Sequence, residues 1–190
     1  MKVIALNGSP RTGGNTDLLL MEAVRAARDA GAETEIFNLN SMAIKPCQDC
    51  GFCTKSGRCI IKDDMYDLYD AIRRADRIIL GSPIFFFNLS AQAKTMIDRC
   101  QSFWSEKYLL KKEIPSGANG RKGLLLLVGA MKNETGVQCS EAVAKAFFRT
   151  ISVPHHETLT YLEIDAKGAI IDHPTALSDA YAAGKKLILI

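Results

Sequence analysis

No run of like charge interrupts this chain: 24 lysines and arginines face 21 acidic residues, for a net charge of +3 at pH 7. So even a balance leaves no electrostatic footprint for nucleic acid, and no nucleic-acid partner is expected. Long apolar runs are missing as well. Met1-Lys2 leads into Val3-Ile4-Ala5-Leu6, too short for the apolar region of a signal peptide. Leu124 to Val128, bounded by Gly123 and Gly129, falls far below the length that crosses a bilayer. The expected location is therefore cytoplasmic, with no membrane partner. Repeats and low-complexity tracts are absent too. The 190 residues suit a single domain, 1–190, long enough to bury about 70% of its unfolded surface.

The standard nucleotide signatures are incomplete. The stretch Asn7-Gly8-Ser9-Pro10-Arg11-Thr12-Gly13-Gly14-Asn15-Thr16 meets the P-loop pattern G-x4-G-K-[ST] only at Gly8 and Gly13. Gly14 stands where the lysine belongs and Asn15 where the magnesium-binding hydroxyl belongs, so triphosphate hydrolysis is poorly supported. Pro10 occupies the second glycine position of G-x-G-x-x-G, which removes the dinucleotide fingerprint. No dedicated nicotinamide-nucleotide motif is found elsewhere.

What the chain does have is cysteine in one place. Cys47, Cys50, Cys53 and Cys59 fall within thirteen residues at C-x2-C-x2-C-x5-C spacing. Thiolates two residues apart turn inward from one tight loop, and a fourth a few residues on completes the corners of an iron–sulfur cube. Zinc competes for four thiolates, although zinc sites more often pair two C-x2-C knuckles across a longer gap. Redox-active or structural thiols are the third reading. The consecutive run favours an iron–sulfur cluster, and the four-iron over the two-iron form. A disulfide framework is not expected in a reducing compartment. Cys100 and Cys139 stand singly among apolar neighbours and read as small core residues.

The rest of the chain alternates strands and helices. Lys2 to Leu6 reads as a strand covered on both faces, and Asp17 onward as a helix that Gly31 stops. A glycine-rich turn between them is an anion site in waiting: N–H groups converge and the helix dipole favours phosphate. With Ser9, Arg11, Asn15 and Thr16 as donors it suits a phosphomonoester. The bland alternative is a solvated turn capped by Thr16. Glu33 to Leu39 forms the second strand and runs into the cysteine loop, 45–62. Asp63 or Asp64 then caps a helix that buries Met65, Leu68 and Ile72. Asp76 to Gly81 is the third strand, ending in Ser82-Pro83-Ile84-Phe85-Phe86-Phe87-Asn88, a loop too apolar to be solvated cheaply, so it covers a ligand, meets a partner or folds inward. The next helix runs from Ser90 to Phe103-Trp104, and Lys107 to Asn119 reads as loop, with Pro115, Gly117 and Gly120 as breakers. Gly123 to Val128 is the fourth strand, followed by the small-residue turn Gly129-Ala130-Met131. A helix carrying Ala142, Val143, Ala146, Phe147 and Phe148, a fifth strand from Glu157 to Ile164, a turn at Lys167-Gly168 and a helix from Ala176 to Ile190 complete the pattern. His155 and His156 point apart on a strand and are ordinary strand-leading residues rather than a metal pair.

Alternation of this kind gives a three-layer α/β sandwich with a five-stranded parallel sheet of order 2-1-3-4-5 and a cysteine-rich loop after strand 2. Ligands of such sheets bind outside the carboxyl ends of the strands at the switch point. The phosphate loop, the aromatic loop and the Gly129 turn converge there, and a phosphate site beside a flat aromatic surface describes flavin mononucleotide. The candidate cofactor-binding residues are Ser9, Arg11, Gly13, Gly14, Asn15, Thr16, Pro83, Ile84, Phe85, Phe86, Asn88, Gly129 and Ala130.

Asn7-Gly8-Ser9-Pro10-Arg11 with Gly14-Asn15-Thr16, then Gly81 to Phe86, then Lys94-Thr95-Met96-Ile97-Asp98-Arg99 resemble the NADPH-dependent FMN reductase superfamily of flavodoxin-like fold. The cysteine motif narrows the resemblance to its iron–sulfur flavoprotein branch. The resemblance covers most of the chain and weakens beyond about residue 132. It implies an oxidoreductase carrying FMN and a [4Fe-4S] cluster in a homodimer or homotetramer, served by NAD(P)H or a ferredoxin-like electron donor. It assigns the phosphate to Ser9, Arg11, Asn15 and Thr16, the isoalloxazine border to Pro83–Phe86, and the cluster to the four loop cysteines. Phe85 departs from it, since relatives often carry tyrosine there. Flavin takes two electrons and releases them singly, whereas a cluster passes one at a time, so the expected role links two-electron donors to one-electron acceptors. The competing functions are an NAD(P)H-dependent FMN or quinone reductase without a cluster, and a zinc-stapled flavin-binding interaction module.

Overall fold

The computed structural model describes residues 1–115 and 120–189. Gly117 and Ile190, a breaker and a helix end expected from the sequence, lie outside the described residues. β1 (Lys2–Asn7) leads through the glycine-rich turn to α1 (Asn15–Asp29), and β2 (Glu33–Asn38) follows. The cysteine loop carries the short α2 (Phe52–Ser56) and ends at α3 (Met65–Arg74). β3 (Arg77–Phe85), β4 (Asn88–Leu89), α4 (Ala91–Arg99) and α5 (Gln101–Trp104) come next. β5 (Lys122–Val128), α6 (Glu134–Thr150), β6 (His155–Tyr161) and α7 (Ala176–Ile188) complete the described elements.

β1, β3 and β5 are near-continuous apolar runs because both faces of the sheet are covered. On one side Val3, Ala5, Ile79 and Leu126 meet Leu20 and Val24 of α1 and Ala180 and Leu187 of α7. On the other, Ile4, Leu6, Ile78 and Leu125 meet Leu68 and Ile72 of α3, Met96 of α4 and Phe147 and Phe148 of α6. Gly184 lets α7 lie against the α1 backbone, where a Cβ would stand 2.3 Å from the Ala23 carbonyl oxygen.

The strand path is β2-β1-β3-β5-β6, all parallel, which is the expected order once an extra strand is set aside. That extra strand, β4, corrects the five-strand expectation. β3 does not stop at Gly81 but runs to Phe85 and turns back antiparallel through Phe86-Phe87, pairing Ile84 with Leu89 and Phe85 with Asn88. The aromatic loop is thus a two-residue hairpin. Its tip residues have φ of 45° and 62°, the left-handed values that a primed turn requires and that bulky side chains resist. Further boundaries differ: α1 starts at Asn15 instead of Asp17, and the helix expected from Ser90 to Trp104 is broken at Cys100 into α4 and α5. Ser105–Leu109 continues the α5 helix as a π turn instead of opening a loop at Lys107; the turn packs against α2, with Ser105 buried and bonded to Cys53. The last strand begins at His155 and ends at Tyr161, two residues before and three residues short of the expected bounds.

Arg121 is buried and donates to the carbonyls of Ile72, Arg73, Ala75 and Ile151 at 2.7–2.9 Å, closing the C-terminal ends of α3 and α6. Burial pulls its pKa down to about 10, which leaves it cationic at neutral pH.

Candidate functional site

At the carboxyl ends of β1, β3, β5 and β6 lies a crevice of ≈ 120 Å³. It sits where the path turns from β1 to its neighbours on either side, the position at which open α/β sheets bind ligands. Its first wall is the glycine-rich turn. The Ser9 N–H donates to Asn7 Oδ1 (3.0 Å), the Arg11 N–H to Ser9 Oγ (3.2 Å), the Gly14 N–H to the Arg11 carbonyl (3.0 Å) and the Gly13 N–H to Asp17 Oδ2 (2.7 Å). Asn7 Nδ2 holds the other Asp17 oxygen at 2.8 Å. This network folds the turn shut around Gly14, where a Cβ would sit 2.9 Å from the Arg11 carbonyl oxygen. No side chain caps α1, so the N–H groups of its first turn stay available beside the crevice, with the positive end of the helix dipole behind them.

Of the residues expected from the sequence, Ser9, Arg11, Gly14, Asn15, Thr16, Pro83, Ile84, Phe85 and Ala130 line this crevice. Four do not. Gly13 is held by Asp17, and the Asn88 side chain accepts from the N–H of Leu89 (2.8 Å). Gly129 is tied to the β6 end through Tyr161 and Ile164, and Phe86 stands fully exposed at the hairpin tip. Asn15 also braces a distant loop, since its amide donates to the Ala166 carbonyl (2.9 Å) and accepts the Ile170 N–H (3.2 Å). That brace pulls the loop after β6 over the crevice and brings in Ile164, Asp165 and Lys167, which the sequence marks only as a turn. A Cβ on Gly13 would lie 3.9 Å from Lys167 Nζ, so the ammonium hangs over the glycine-rich turn.

The four loop cysteines line a second cavity, ≈ 40 Å³, which shares no residue with the crevice. Cys47 and Cys50 are exposed, while Cys53 and Cys59 are half-buried. The Ser105 hydroxyl donates to Cys53 Sγ at 3.5 Å, and the Tyr66 hydroxyl to the Cys59 carbonyl at 2.6 Å. Among the described residues no group of three or more His, Cys, Asp or Glu side chains stands close enough to hold a metal ion, so the thiols share a cavity without closing on a common point. Cys100 is buried, as expected, and burial pushes its thiol pKa up; Cys139 is exposed on α6, which corrects its reading as a core residue. His155 and His156 lead β6 at the amino end of the sheet. His156 packs on the Phe148 ring at 4.8 Å between centroids, and burial lowers its pKa.

The thiol loop is anchored by a residue that nothing in the local sequence marks for such a role. Arg99, the last residue of α4, is buried. Its Nη1 donates to the Lys45 carbonyl (2.7 Å) and Asp63 Oδ2 (2.6 Å), and its Nη2 to the Ile61 carbonyl (3.1 Å) and Asp63 Oδ1 (3.0 Å). Asp63 also accepts the Lys45 and Met65 N–H groups. Burial pushes the Asp63 carboxyl up, but Arg99 and these N–H donors outweigh it and hold it below the ordinary range. Asp64 stands at the cap position of α3 but makes no side-chain cap bond. Asp63 receives the first-turn N–H of Met65, while Asp64 reaches back to the N–H of Ala43 (2.7 Å).

A profile of NADPH-dependent FMN reductases matches residues 1–157. An iron–sulfur flavoprotein of Methanocaldococcus jannaschii is 46% identical over 99 residues, 52% of this chain and 51% of that protein. Another, from Methanosarcina thermophila, is 32% identical over 133 residues, 70% of this chain and 65% of that protein. The chain thus spans between about half and two thirds of the length of these relatives. Among solved structures, an NAD(P)H:quinone oxidoreductase from Methanothermobacter marburgensis superposes with a TM-score of 0.78. The match covers 98% of this chain and 96% of that one at 18% identity, a likeness of fold. No helix among the described residues is long and apolar enough to cross a membrane.

Proposed function

The chain belongs to the NADPH-dependent FMN reductase family, and from that premise we propose that it is an FMN-dependent oxidoreductase whose cysteine loop holds a [4Fe-4S] cluster. One observation carries the reading: two separate cavities, one with the donors of a phosphate site beside apolar walls, the other lined by four thiols. FMN would supply two-electron chemistry and the cluster one-electron transfer.

The residues present fit both groups. The uncapped α1 terminus, Ser9, Arg11 and Lys167 give an anion its donors and countercharge, and the tight approach at Gly14 keeps that wall backbone-lined. Pro83, Ile84 and Phe85 offer a flat apolar border on which a ring is shielded from water. Thr16 is buried under the turn and spaces it from Gly81. The four thiols form an all-sulfur donor set, the ligand chemistry of an iron–sulfur centre. Arg99 and Asp63 fix both ends of that loop, so the thiols need only local movement to close on one centre. The whole forms one flavodoxin-like domain with the 45–62 loop inserted. Its exposed hairpin residues Phe86 and Phe87, with Met131, suit a homo-oligomeric contact. Phe103 is buried in the core and takes no part in such a contact, whereas its neighbour Trp104 is exposed.

The second reading, an NAD(P)H-dependent FMN or quinone reductase without a cluster, draws on the absence of a metal-holding group among the described residues. An absorption spectrum with iron, sulfide and zinc analysis on protein purified without oxygen separates the two. Flavin bands with about four irons and four sulfides per chain support the proposal. Flavin alone after anaerobic reconstitution replaces it with the reductase, and zinc in place of iron makes the loop a structural staple.

A further inference from the structure

Among the residues that line the thiol cavity with its four cysteines, Arg99 is the one cation. A guanidinium carries five N–H donors. Four of those on Arg99 are accounted for by Lys45, Ile61 and both oxygens of Asp63, and these partners hold the loop two residues before Cys47 and two residues after Cys59. The remaining donor, Nε, is buried and has no partner among the described residues. A buried ion with an unmade hydrogen bond is an exception that asks for an acceptor. The contrast with Arg121 is instructive, because that guanidinium also ties loop and helix ends yet satisfies its Nε on the Ala75 carbonyl at 2.9 Å. Arg77 leaves a donor over as well, but at the amino ends of the strands, the edge of the sheet opposite the one from which the thiol loop departs. Among the described residues, only Arg99 combines an unpartnered donor with a wall shared by four thiols.

We infer that Arg99 donates this hydrogen bond from Nε to a sulfur of the iron–sulfur centre, a cysteine thiolate or a bridging sulfide, and thereby raises the centre's reduction potential. The inference rests on the proposal that the loop holds a cluster. Its chemistry is general: a hydrogen bond to sulfur and a nearby fixed positive charge both stabilise the more negative, reduced state. Asp63 works in the opposite sense, since its carboxylate opposes the guanidinium's field while holding it in place. Arg99 is a positioning residue in this account, acting on the cluster through its ligands and its charge.

The test is a redox titration of the anaerobically purified full chain, wild type against Arg99→Lys, Arg99→Gln and Asp63→Asn, with iron content measured on each. Arg99→Gln should lower the potential so that the reduced-to-oxidised ratio at a fixed potential falls about tenfold, about 59 mV for a one-electron couple. Arg99→Lys keeps the charge but not the Nε donor and should fall between. Asp63→Asn should shift the potential upward. If Arg99→Gln and Asp63→Asn move it in the same direction, or not at all with full iron, Arg99 is a clamp only and the inference fails. Should the variants lose iron, the wild type decides: pulsed paramagnetic resonance with isotope-labelled arginine either detects Nε coupled to the reduced cluster or overturns the inference. A wild type that holds no iron after reconstitution fails a different claim, the cluster itself.

Discussion

The crevice and the thiol cavity are held in place by different means. The crevice walls are the ends of β1, β3, β5 and β6, each registered to its neighbour by a parallel ladder and backed by a helix. Moving one wall means breaking the sheet. The thiol loop has no strand from Cys47 to Cys59 and only the five-residue α2. It hangs from the Arg99–Asp63 pair, with smaller ties from Ser105 and Tyr66. Cooperative secondary structure positions the first cavity, and a few long-range polar contacts position the second. The second is therefore the region where single side chains matter most and where local movement costs least.

The largest expected effect breaks the comparison at the loop. Arg99→Met would leave Asp63 buried without its ion partner and release the Lys45 and Ile61 carbonyls. It should cost about 3–5 kcal/mol in denaturant unfolding, with protease cleavage appearing first within residues 45–62. The same pair sets a pH limit. Because the folded-state pKa of Asp63 lies below its ordinary 3.8, its contribution is fully present above that value and is lost as pH falls through and below it. Loop protection measured by hydrogen exchange should fall in acid in the wild type and flatten in Asp63→Asn.

Gly184→Ala attacks the other side of the comparison. Its Cβ would stand 2.3 Å from the Ala23 carbonyl oxygen, forcing α7 from α1. A loss of about 1–3 kcal/mol, or roughly 3–10 °C in Tm, is expected, with the thiol loop no more protease-sensitive than before. Lys167→Gln is milder. It should weaken FMN binding about fivefold and reduce the salt dependence of binding, both read by fluorescence titration. The smallest change should be a gain. Within the chain Phe86 is fully exposed with φ of 45°, so Phe86→Asn, compared in the monomer, gives up no intrachain packing and relieves a left-handed aromatic. Thermal melting should register about 0.5–1 kcal/mol of added stability.

These residues also mark how far the sequence can be read. The crevice is legible because its parts are local: an apolar strand, a glycine-rich turn and an amphipathic helix, repeated along the chain. Parallel alternation then leaves few strand orders to choose from. The cysteine spacing is legible for the same reason, since the four thiols are near neighbours in the chain. The hairpin at Phe86-Phe87 is not, because it carries none of the asparagine or glycine that announces a primed turn. Lys167 gives no local sign of its place, because distant contacts bring its loop to the crevice, chiefly the Asn15 brace, 151 residues away from Ala166.

Arg99 and Arg121 are the clearest cases. On sequence each looks like an ordinary surface cation, Arg99 inside the helix expected from Ser90 to Trp104 and Arg121 preceding a strand, and the local pattern does not mark either for burial. The alternating sandwich, the glycine-rich turn and the four-thiol motif are written in the order of residues, because periodicity, turn chemistry and cysteine spacing act over a few positions. Which charges are buried, what they hold together and which donor is left without a partner emerge only once the chain is folded. Those outcomes depend on carbonyls and carboxylates contributed from distant parts of the chain.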